Sequence, residues 1–145
     1  MKKILFVCTG NTCRSPMAEA LMKKKAGEQV EIKSAGVHAF PGMGASEGTT
    51  SVLNEREIPL NHSARLVDRE LVEWADLILT MTKSHFQLLA AKFPAAAEKA
   101  FTIKEFANDE NHGDISDPIG GTIEDYRNTA RELDALLDKV IQKLD

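Results

Sequence analysis

The residues best suited to chemistry lie in one short stretch near the start of the chain, residues 7–16, with the sequence VCTGNTCRSP. An apolar run over residues 4–7 precedes this stretch, and a helical pattern that starts near Met17 follows it. The stretch is therefore expected to form a tight loop between a strand and a helix N-terminus. Such a loop aims several backbone N–H groups at one point, where the helix dipole also favours negative charge. This arrangement predicts a cradle for an oxyanion such as phosphate.

Two side chains in this loop, Cys8 and Arg14, carry reactive groups. The planar guanidinium of Arg14 matches two phosphate oxygens at once. Because electropositive surroundings of this kind lower the pKa of a thiol to roughly 3.5–7.5, we expect a lowered pKa for Cys8. A thiolate held against a bound phosphoryl group is a nucleophile for phosphoryl transfer through a phosphocysteine. The alternative is that Cys8 is an ordinary buried cysteine and Arg14 a surface residue. That alternative does not explain why the C-x5-R-S spacing lies between a predicted strand and a predicted helix.

The other loop residues have expected structural tasks. Gly10 is predicted to adopt a positive φ, and Asn11 to tolerate a left-handed backbone and brace the loop through its side chain. Ser15 is the predicted N-cap of the helix, with Pro16 at the first helical position. The Ser15 hydroxyl is also expected to donate to the Cys8 sulfur. The residues expected to bind phosphate are Thr9, Gly10, Asn11, Thr12, Cys13, Arg14 and Ser15.

A leaving group needs a proton, and a long polar loop over residues 107–121 offers the acids that the cysteine loop lacks. Its candidates are Asp109, Glu110, His112, Asp114 and Asp117. Asp117 precedes Pro118 and is therefore restricted to an extended backbone that can hold its carboxyl over the cradle. This restriction makes Asp117 a candidate for the general acid, and Asp114 is the fallback candidate. The remaining acids are interpreted as a solvated loop face.

The order of the predicted elements indicates an α/β fold. Strands are expected at residues 4–7, 30–33, 77–81 and 100–103, and helices at residues 17–26, 50–57, 69–74, 83–93 and 123–144. The predicted N-caps of the later helices are Asp68, Thr82, Thr102 and Thr122. This alternation predicts one domain over residues 1–145, with a four-stranded, mostly parallel, twisted sheet, helices on both faces and the phosphate-binding loop after the first strand.

Composition restricts the classes of function. The chain has 145 residues and a formal net charge of −4, which gives no electrostatic footprint for nucleic acid. No apolar run approaches the roughly 20 residues that span a bilayer, so we expect no membrane partner. The apolar run at residues 4–7 is too short for a signal peptide, and two cysteines without a disulfide framework suit a reducing cytoplasm. We expect no cofactor and no metal, because the histidines have no metal-ligand spacing with the cysteines, and we favour a monomer.

At the level of motifs, the chain resembles the low-molecular-weight protein tyrosine phosphatases over essentially its whole length. The motifs that carry the resemblance are Cys8-x5-Arg14-Ser15 after the first strand, Ser34-Ala35-Gly36, Asn61-His62-x-x-Arg65, the ADLILTM run at residues 75–81 and Asp117-Pro118. The resemblance implies phosphorylated proteins as substrates and Asp117 as the general acid. It also implies that His62 supports the phosphate loop by bonding toward Asn11, and we expect Ser34 to brace the same loop.

Two details are more similar to the bacterial protein-arginine-phosphatase branch of this family. Thr12 stands where tyrosine-specific members usually have a larger aliphatic residue, and Ile119-Gly120-Gly121 follows the Asp-Pro pair in place of aromatic residues. The arginine branch typically has Phe at the position of Ile119, so aliphatic packing replaces a ring here. A carboxylate such as Asp117 can hold a guanidinium in fork geometry. We therefore predict phosphoarginine as the substrate.

Other interpretations remain open at this point. Phosphotyrosine is the second substrate candidate, and the remote alternatives are an arsenate reductase and a non-catalytic phosphoprotein-binding module. An arsenate reductase relays electrons through further downstream cysteines, and residues 14–145 contain none. For members that carry both cysteines, the resemblance also implies a reversible Cys8–Cys13 disulfide that protects the nucleophile under oxidation.

Overall fold

The strand that precedes the cysteine loop is buried on both faces of the sheet. In the computed structural model, which describes residues 2–108 and 113–144, this strand is β1, Lys2–Cys8, and its last five residues are buried. Ile4 and Phe6 face one hydrophobic cluster, and Leu5 and Val7 face the other. A strand covered on both sides needs no alternation of polar residues, as its sequence predicted.

The other three strands pair with β1 or with each other in parallel. They are β2 (Val30–Gly36), β3 (Leu77–Thr80) and β4 (Ala100–Thr102), and the order across the sheet is β2-β1-β3-β4. The predicted position of β2 at an edge is confirmed. Because every pair is parallel, the carboxyl ends of the strands lie along one side of the sheet, with Cys8 beside Gly36 and Val7 beside Thr80.

Helices cover both faces of the sheet, as predicted. They are α1 (Arg14–Ala26), α2 (Glu47–Glu55), α3 (Arg69–Trp74), α4 (Lys83–Lys92), α5 (Ile103–Phe106) and α6 (Ile123–Lys143). Residues of α1, α2 and α6 share a core with Ile4 and Phe6, whereas α3 and α4 pack against Leu5 and Val7. Within the described residues, the model contains no helix whose length and apolar character would let it cross a membrane.

Most helix starts follow the predicted caps. The side chains of Asp68, Thr82, Thr102 and Thr122 each accept a hydrogen bond from the third backbone N–H of their helix. The start of α2 was predicted wrongly, because this helix begins at Glu47 after the N-cap Ser46. Gly48 lies inside the helix, where an added Cβ would stand 2.4 Å from the ring of Tyr126. Close packing against α6 therefore explains a glycine that reads as a loop residue in the sequence.

Candidate active site

The loop between β1 and α1 forms the floor of a pocket of about 310 Å³ at the carboxyl side of the sheet. Its lining from this loop is Cys8, Thr9, Gly10, Thr12, Cys13 and Arg14. Residues distant in sequence complete the walls: His38, Phe40, Met43, Asp117 and Ile119. The structure thus brings the predicted nucleophile, arginine and acid into one site.

The Cys8 thiol is deeply buried. The residue is 3% exposed, and its sulfur lies 2.8 Å from the Ser15 hydroxyl. Burial raises the pKa of the Cys8 thiol, while hydrogen bonds from Ser15 and from the Asn11 backbone and the charge of Arg14 lower it by less. The expected lowering of the Cys8 pKa is therefore wrong. The sequence revealed the favourable charges but not the depth at which the thiol lies.

Asn11 is the left-handed residue of the loop, with φ 57°. Its amide nitrogen donates to the hydroxyls of Ser15 at 2.8 Å and Ser34 at 2.9 Å, and its amide oxygen accepts from the Arg65 backbone N–H at 3.0 Å. Its own backbone carbonyl accepts from His62 Nε2 at 2.6 Å. The side chain and the carbonyl of one fully buried asparagine are thus tied to four separate residues.

Two structural expectations for this loop are wrong. The positive φ falls on Asn11 and not on Gly10, because the Asn11 side chain stabilises that backbone locally. Helix α1 begins at Arg14 after Cys13, so Ser15 lies within the first turn instead of capping it. The Ser15 hydroxyl instead serves Asn11 and Cys8.

The end of β2 runs so close to the loop that it requires a glycine. The Val37 and His38 backbone N–H groups donate to the carbonyls of Cys8 and Thr9 at 2.9 and 3.0 Å. A Cβ on Gly36 would stand 2.3 Å from the Thr9 carbonyl oxygen. The carbonyls of Cys8 and Thr9 are therefore held by the backbone that directly follows β2.

Arg14 joins the phosphate loop to the loop that carries Asp117. Arg14 is 5% exposed, and its guanidinium donates through Nη1 to the Ile115 carbonyl at 2.9 Å and has Nη2 3.5 Å from an Asp117 carboxylate oxygen. The Asp117 side chain is 42% exposed, and its other oxygen accepts from the Ile119 backbone N–H at 3.1 Å. The acid therefore lies at the mouth of the pocket.

The other candidate acids differ in placement. Asp114 accepts from the Lys83 backbone N–H at 2.9 Å, at the N-terminus of α4. This contact occupies Asp114 outside the pocket lining, which favours Asp117 as the acid. Asp109, Glu110 and His112 lie outside the described residues.

Three of the large apolar side chains most exposed on the surface surround the pocket. Phe40 is 74% exposed, Ile119 63% and Met43 51%. Apolar surface of this kind at the mouth of a polar cradle can pack against the carbon skeleton of a bound side chain.

Cys13 lines the same pocket as Cys8, and both thiols are free. The Cys13 thiol donates to the Ser46 hydroxyl at 3.3 Å and lies 3.7 Å from the Tyr126 hydroxyl. No group of three His, Cys, Asp or Glu side chains in residues 2–108 and 113–144 is arranged to hold a metal ion. The expectation of metal-free and cofactor-free chemistry stays a prediction.

The sequence predictions missed the pocket-lining residues His38, Phe40 and Met43, and they also missed two polar side chains that reach the site from helices. Glu19 on α1 accepts from the Ser34 hydroxyl at 2.6 Å and so extends the contacts behind Asn11. His85 on α4 has Nε2 2.7 Å from the Thr9 hydroxyl oxygen. The sequence did contain a signal for His85, because it lies in the first turn of a helix that follows a buried strand. Such a position lies near the carboxyl ends of the strands, where a parallel sheet binds its ligand.

Comparison with known proteins agrees with this geometry. The chain matches the family model for low molecular weight phosphotyrosine protein phosphatase over residues 3–145. It is 46% identical over 142 residues to a protein-arginine-phosphatase of Geobacillus stearothermophilus, covering 98% of this chain and 95% of that protein. It is 37% identical over 139 residues to the low molecular weight protein-tyrosine-phosphatase PtpB of Staphylococcus aureus, covering 95% and 96% of the two chains.

A solved structure is similar throughout. The YwlE arginine phosphatase, as a cysteine-to-serine mutant with a phosphorylated active site serine, superposes with a TM-score of 0.93 at 44% identity. The match covers 98% of this chain and 95% of that chain. The chain belongs to the low molecular weight phosphotyrosine protein phosphatase family.

Proposed function

We propose that this phosphatase removes the phosphoryl group from phosphoarginine in proteins through a phosphocysteine intermediate. The observation that carries the proposal is the single pocket in which the Cys8 sulfur and the Arg14 guanidinium lie beneath the Asp117 carboxylate. A nucleophile, an oxyanion binder and an acid in one pocket are the parts that phosphoryl transfer to cysteine needs.

The reaction follows from the position of these groups. The phosphoryl group binds in the loop against Arg14. Cys8 loses its thiol proton to solvent, and the resulting thiolate attacks phosphorus, forming an S–P bond as the P–N bond breaks. Asp117 gives its proton to the departing guanidine nitrogen. Water then attacks the phosphocysteine and passes a proton to Asp117, which releases inorganic phosphate and restores the thiolate. The Ser15 hydroxyl, 2.8 Å from the sulfur, stabilises the thiolate in both steps.

Three observations favour arginine as the phosphorylated residue. The Asp117 carboxyl group is exposed at the pocket mouth, where in its protonated form it can donate to the departing nitrogen while its other oxygen accepts from a neighbouring N–H of the substrate guanidine. Thr12 is a small side chain in the pocket wall and leaves space beside the phosphate. The relative with 46% identity is named a protein-arginine-phosphatase.

Phosphotyrosine is the second candidate, favoured by the exposed apolar side chains of Phe40, Met43 and Ile119 around the pocket. These side chains can pack against a phenyl ring. The relative with 37% identity is named a protein-tyrosine-phosphatase. Both candidates use the same nucleophile and differ only in the group that leaves.

The covalent intermediate is tested by acid-quenching the enzyme during turnover of a phosphoarginine peptide and locating the phosphoryl group by mass spectrometry. We expect it on Cys8 and expect Cys8→Ser to release no phosphate above background. Cys13→Ser is the matched control and is expected to retain turnover. Release of phosphate by Cys8→Ser, or a phosphoryl group on another residue alone, contradicts the mechanism.

We also propose that Cys8 and Cys13 form a reversible disulfide under oxidation. Two free thiols line one pocket, and peroxide can oxidise them to a disulfide while being reduced to water. Peroxide treatment is expected to abolish activity in a form that dithiothreitol restores in wild type but not in Cys13→Ala. Irreversible sulfinic Cys8 in the wild type, without an internal disulfide, contradicts this proposal.

The cellular setting is proposed on the same basis. Free cysteines in the site suit a reducing compartment, so we infer a cytoplasmic location, which fractionation of cells tests directly. The monomeric state and the absence of nucleic-acid and membrane partners stay predictions.

A further inference from the structure

His85 is a buried histidine next to the pocket to which the reaction above gives no task. It lies in the first turn of α4, is 4% exposed, and has Nε2 2.7 Å from the Thr9 hydroxyl oxygen. Its other ring nitrogen, Nδ1, is buried and has no hydrogen-bond partner in the part of the chain that the structure describes. Thr9 follows the nucleophile and lines the pocket.

The surroundings of His85 keep the ring neutral. Burial lowers the pKa of His85 to about 4, with the charges of Arg14 and His38 acting in the same direction and the carboxylates of Asp114 and Asp117 opposing them. At pH 7 the ring therefore carries one N–H, which is on either Nδ1 or Nε2.

The two forms of the ring leave different groups without a partner. With the proton on Nδ1, a buried N–H donor has no acceptor among the described residues. With the proton on Nε2, that N–H donates to Thr9 and only a lone pair on Nδ1 is left. Buried N–H donors without a partner are rarer in proteins than under-satisfied acceptors, so the geometry favours the second form.

We propose that His85 is a positioning residue that donates from Nε2 to the Thr9 hydroxyl oxygen and leaves the Thr9 hydroxyl proton free to bind a phosphoryl oxygen in the cradle. The Thr9 oxygen makes no other side-chain hydrogen bond within the described residues. A bound phosphoryl group supplies the missing acceptor. This inference rests on the proposed phosphatase chemistry, and it adds a side-chain donor to the backbone N–H groups and Arg14.

The form of the ring can be read directly in the wild-type protein. Long-range ¹H–¹⁵N correlation spectra at pH 7 distinguish protonated from unprotonated ring nitrogens, and His85→Gln identifies the His85 signals. We expect a proton on Nε2 and none on Nδ1, with and without inorganic phosphate. A proton on Nδ1 in either state overturns the proposal without requiring any variant to be active.

The kinetic test uses p-nitrophenyl phosphate as substrate and inorganic phosphate as inhibitor. Losing one hydrogen bond to a charged group weakens binding by about tenfold, so we expect Thr9→Val and His85→Leu each to lower kcat/KM and phosphate affinity by about that factor. His85→Gln retains an N–H donor and is expected to restore most of both values. Gln87→Leu, an exposed position on the same helix, is the control and is expected to match wild type.

The double variant Thr9→Val/His85→Leu separates positioning from general damage to the fold. If His85 acts through Thr9, the double variant is expected to lose no more than either single variant. Multiplied losses, or no rescue by His85→Gln in a folded protein, overturn the proposal. Since p-nitrophenyl phosphate has no guanidinium, failure of the phosphoarginine assignment leaves this test intact. Conversely, if the proposed role of His85 and Thr9 is wrong, the phosphoarginine assignment is unaffected.

Discussion

The two sides of the active-site pocket are built in opposite ways. On the side of the phosphate loop, Asn11 is fully buried and its polar atoms are bonded to Ser15, Ser34, Arg65 and His62. On the opposite side, the Asp117 side chain is 42% exposed, and among the described residues its carboxylate has polar contacts only with the Ile119 backbone N–H and, at 3.5 Å, with Arg14. In the proposed reaction, the first side holds the phosphoryl group and the nucleophile, and the second contacts the part of the substrate that leaves.

The two sides of the pocket differ because they meet different structural requirements. Loop geometry that must match a tetrahedral anion is stabilised by a saturated buried network, in which each lost bond leaves a buried polar group unpaired. A group that must approach and leave different substrates is placed on an exposed loop, where it costs little stability. Substitutions on the two sides should therefore separate stability from chemistry.

The largest effect is expected from Asp117→Asn, which removes the proposed proton donor on the exposed side. General acid catalysis contributes about 10²–10⁴-fold, so kcat for a phosphoarginine peptide should fall within that range. The unfolding midpoint should stay near that of wild type, because an exposed substitution usually changes stability by about 0.5 kcal/mol or less. Asp114→Asn is the matched control, and a larger loss of kcat in that variant would show that the acid has been assigned wrongly.

Asn11→Ala is expected to break the buried side. It removes the donor to the Ser15 and Ser34 hydroxyls, leaves the Arg65 N–H without its acceptor, and removes the side chain that stabilises a left-handed backbone. We expect a loss of about 2–4 kcal/mol in the free energy of unfolding, measured in urea, together with a loss of phosphate binding. Wild-type stability in this variant would mean that the network does not hold the loop.

Ser15→Ala is expected to have a smaller effect that depends on pH. The Ser15 hydroxyl lowers the pKa of Cys8 against the larger effect of burial, so its removal raises that pKa further. A higher pKa means less thiolate at a given pH, and the pH profile of Cys8 alkylation by iodoacetamide should move to higher pH. Ser84→Ala, an exposed serine on α4, is the control. A profile that moves to lower pH contradicts the role given to Ser15.

The sequence predicted best those site residues that lie next to one another along the chain. Residues 8–15 lie in one loop between a buried strand and a helix, and the resemblance of the chain to a known family supplied Asp117, His62 and Ser34. Glu19 and His85 were missed because each reaches the site through a single contact made by the packing of a helix on the sheet. No spacing in the sequence records such a contact.

The errors have physical causes of the same kind. Ser15 was predicted to cap α1, but it lies inside the first turn; its predicted contact with the Cys8 sulfur is present, and its hydroxyl also accepts from Asn11. The pKa of Cys8 was predicted from nearby charges, whereas burial of the thiol has the larger effect. The spacing of residues in the sequence shows which groups are near one another. It does not show how deeply a side chain is buried, because burial depends on the packed structure.

The most direct test of the account is kcat/KM on matched peptides that carry phosphoarginine or phosphotyrosine, for wild type and Thr12→Ile. We expect wild type to prefer phosphoarginine and Thr12→Ile to shift the ratio toward phosphotyrosine, because the larger side chain fills the space beside the phosphate. A wild-type preference for phosphotyrosine would contradict the arginine assignment while leaving the cysteine mechanism intact. Turnover of neither peptide would contradict the enzymatic role itself.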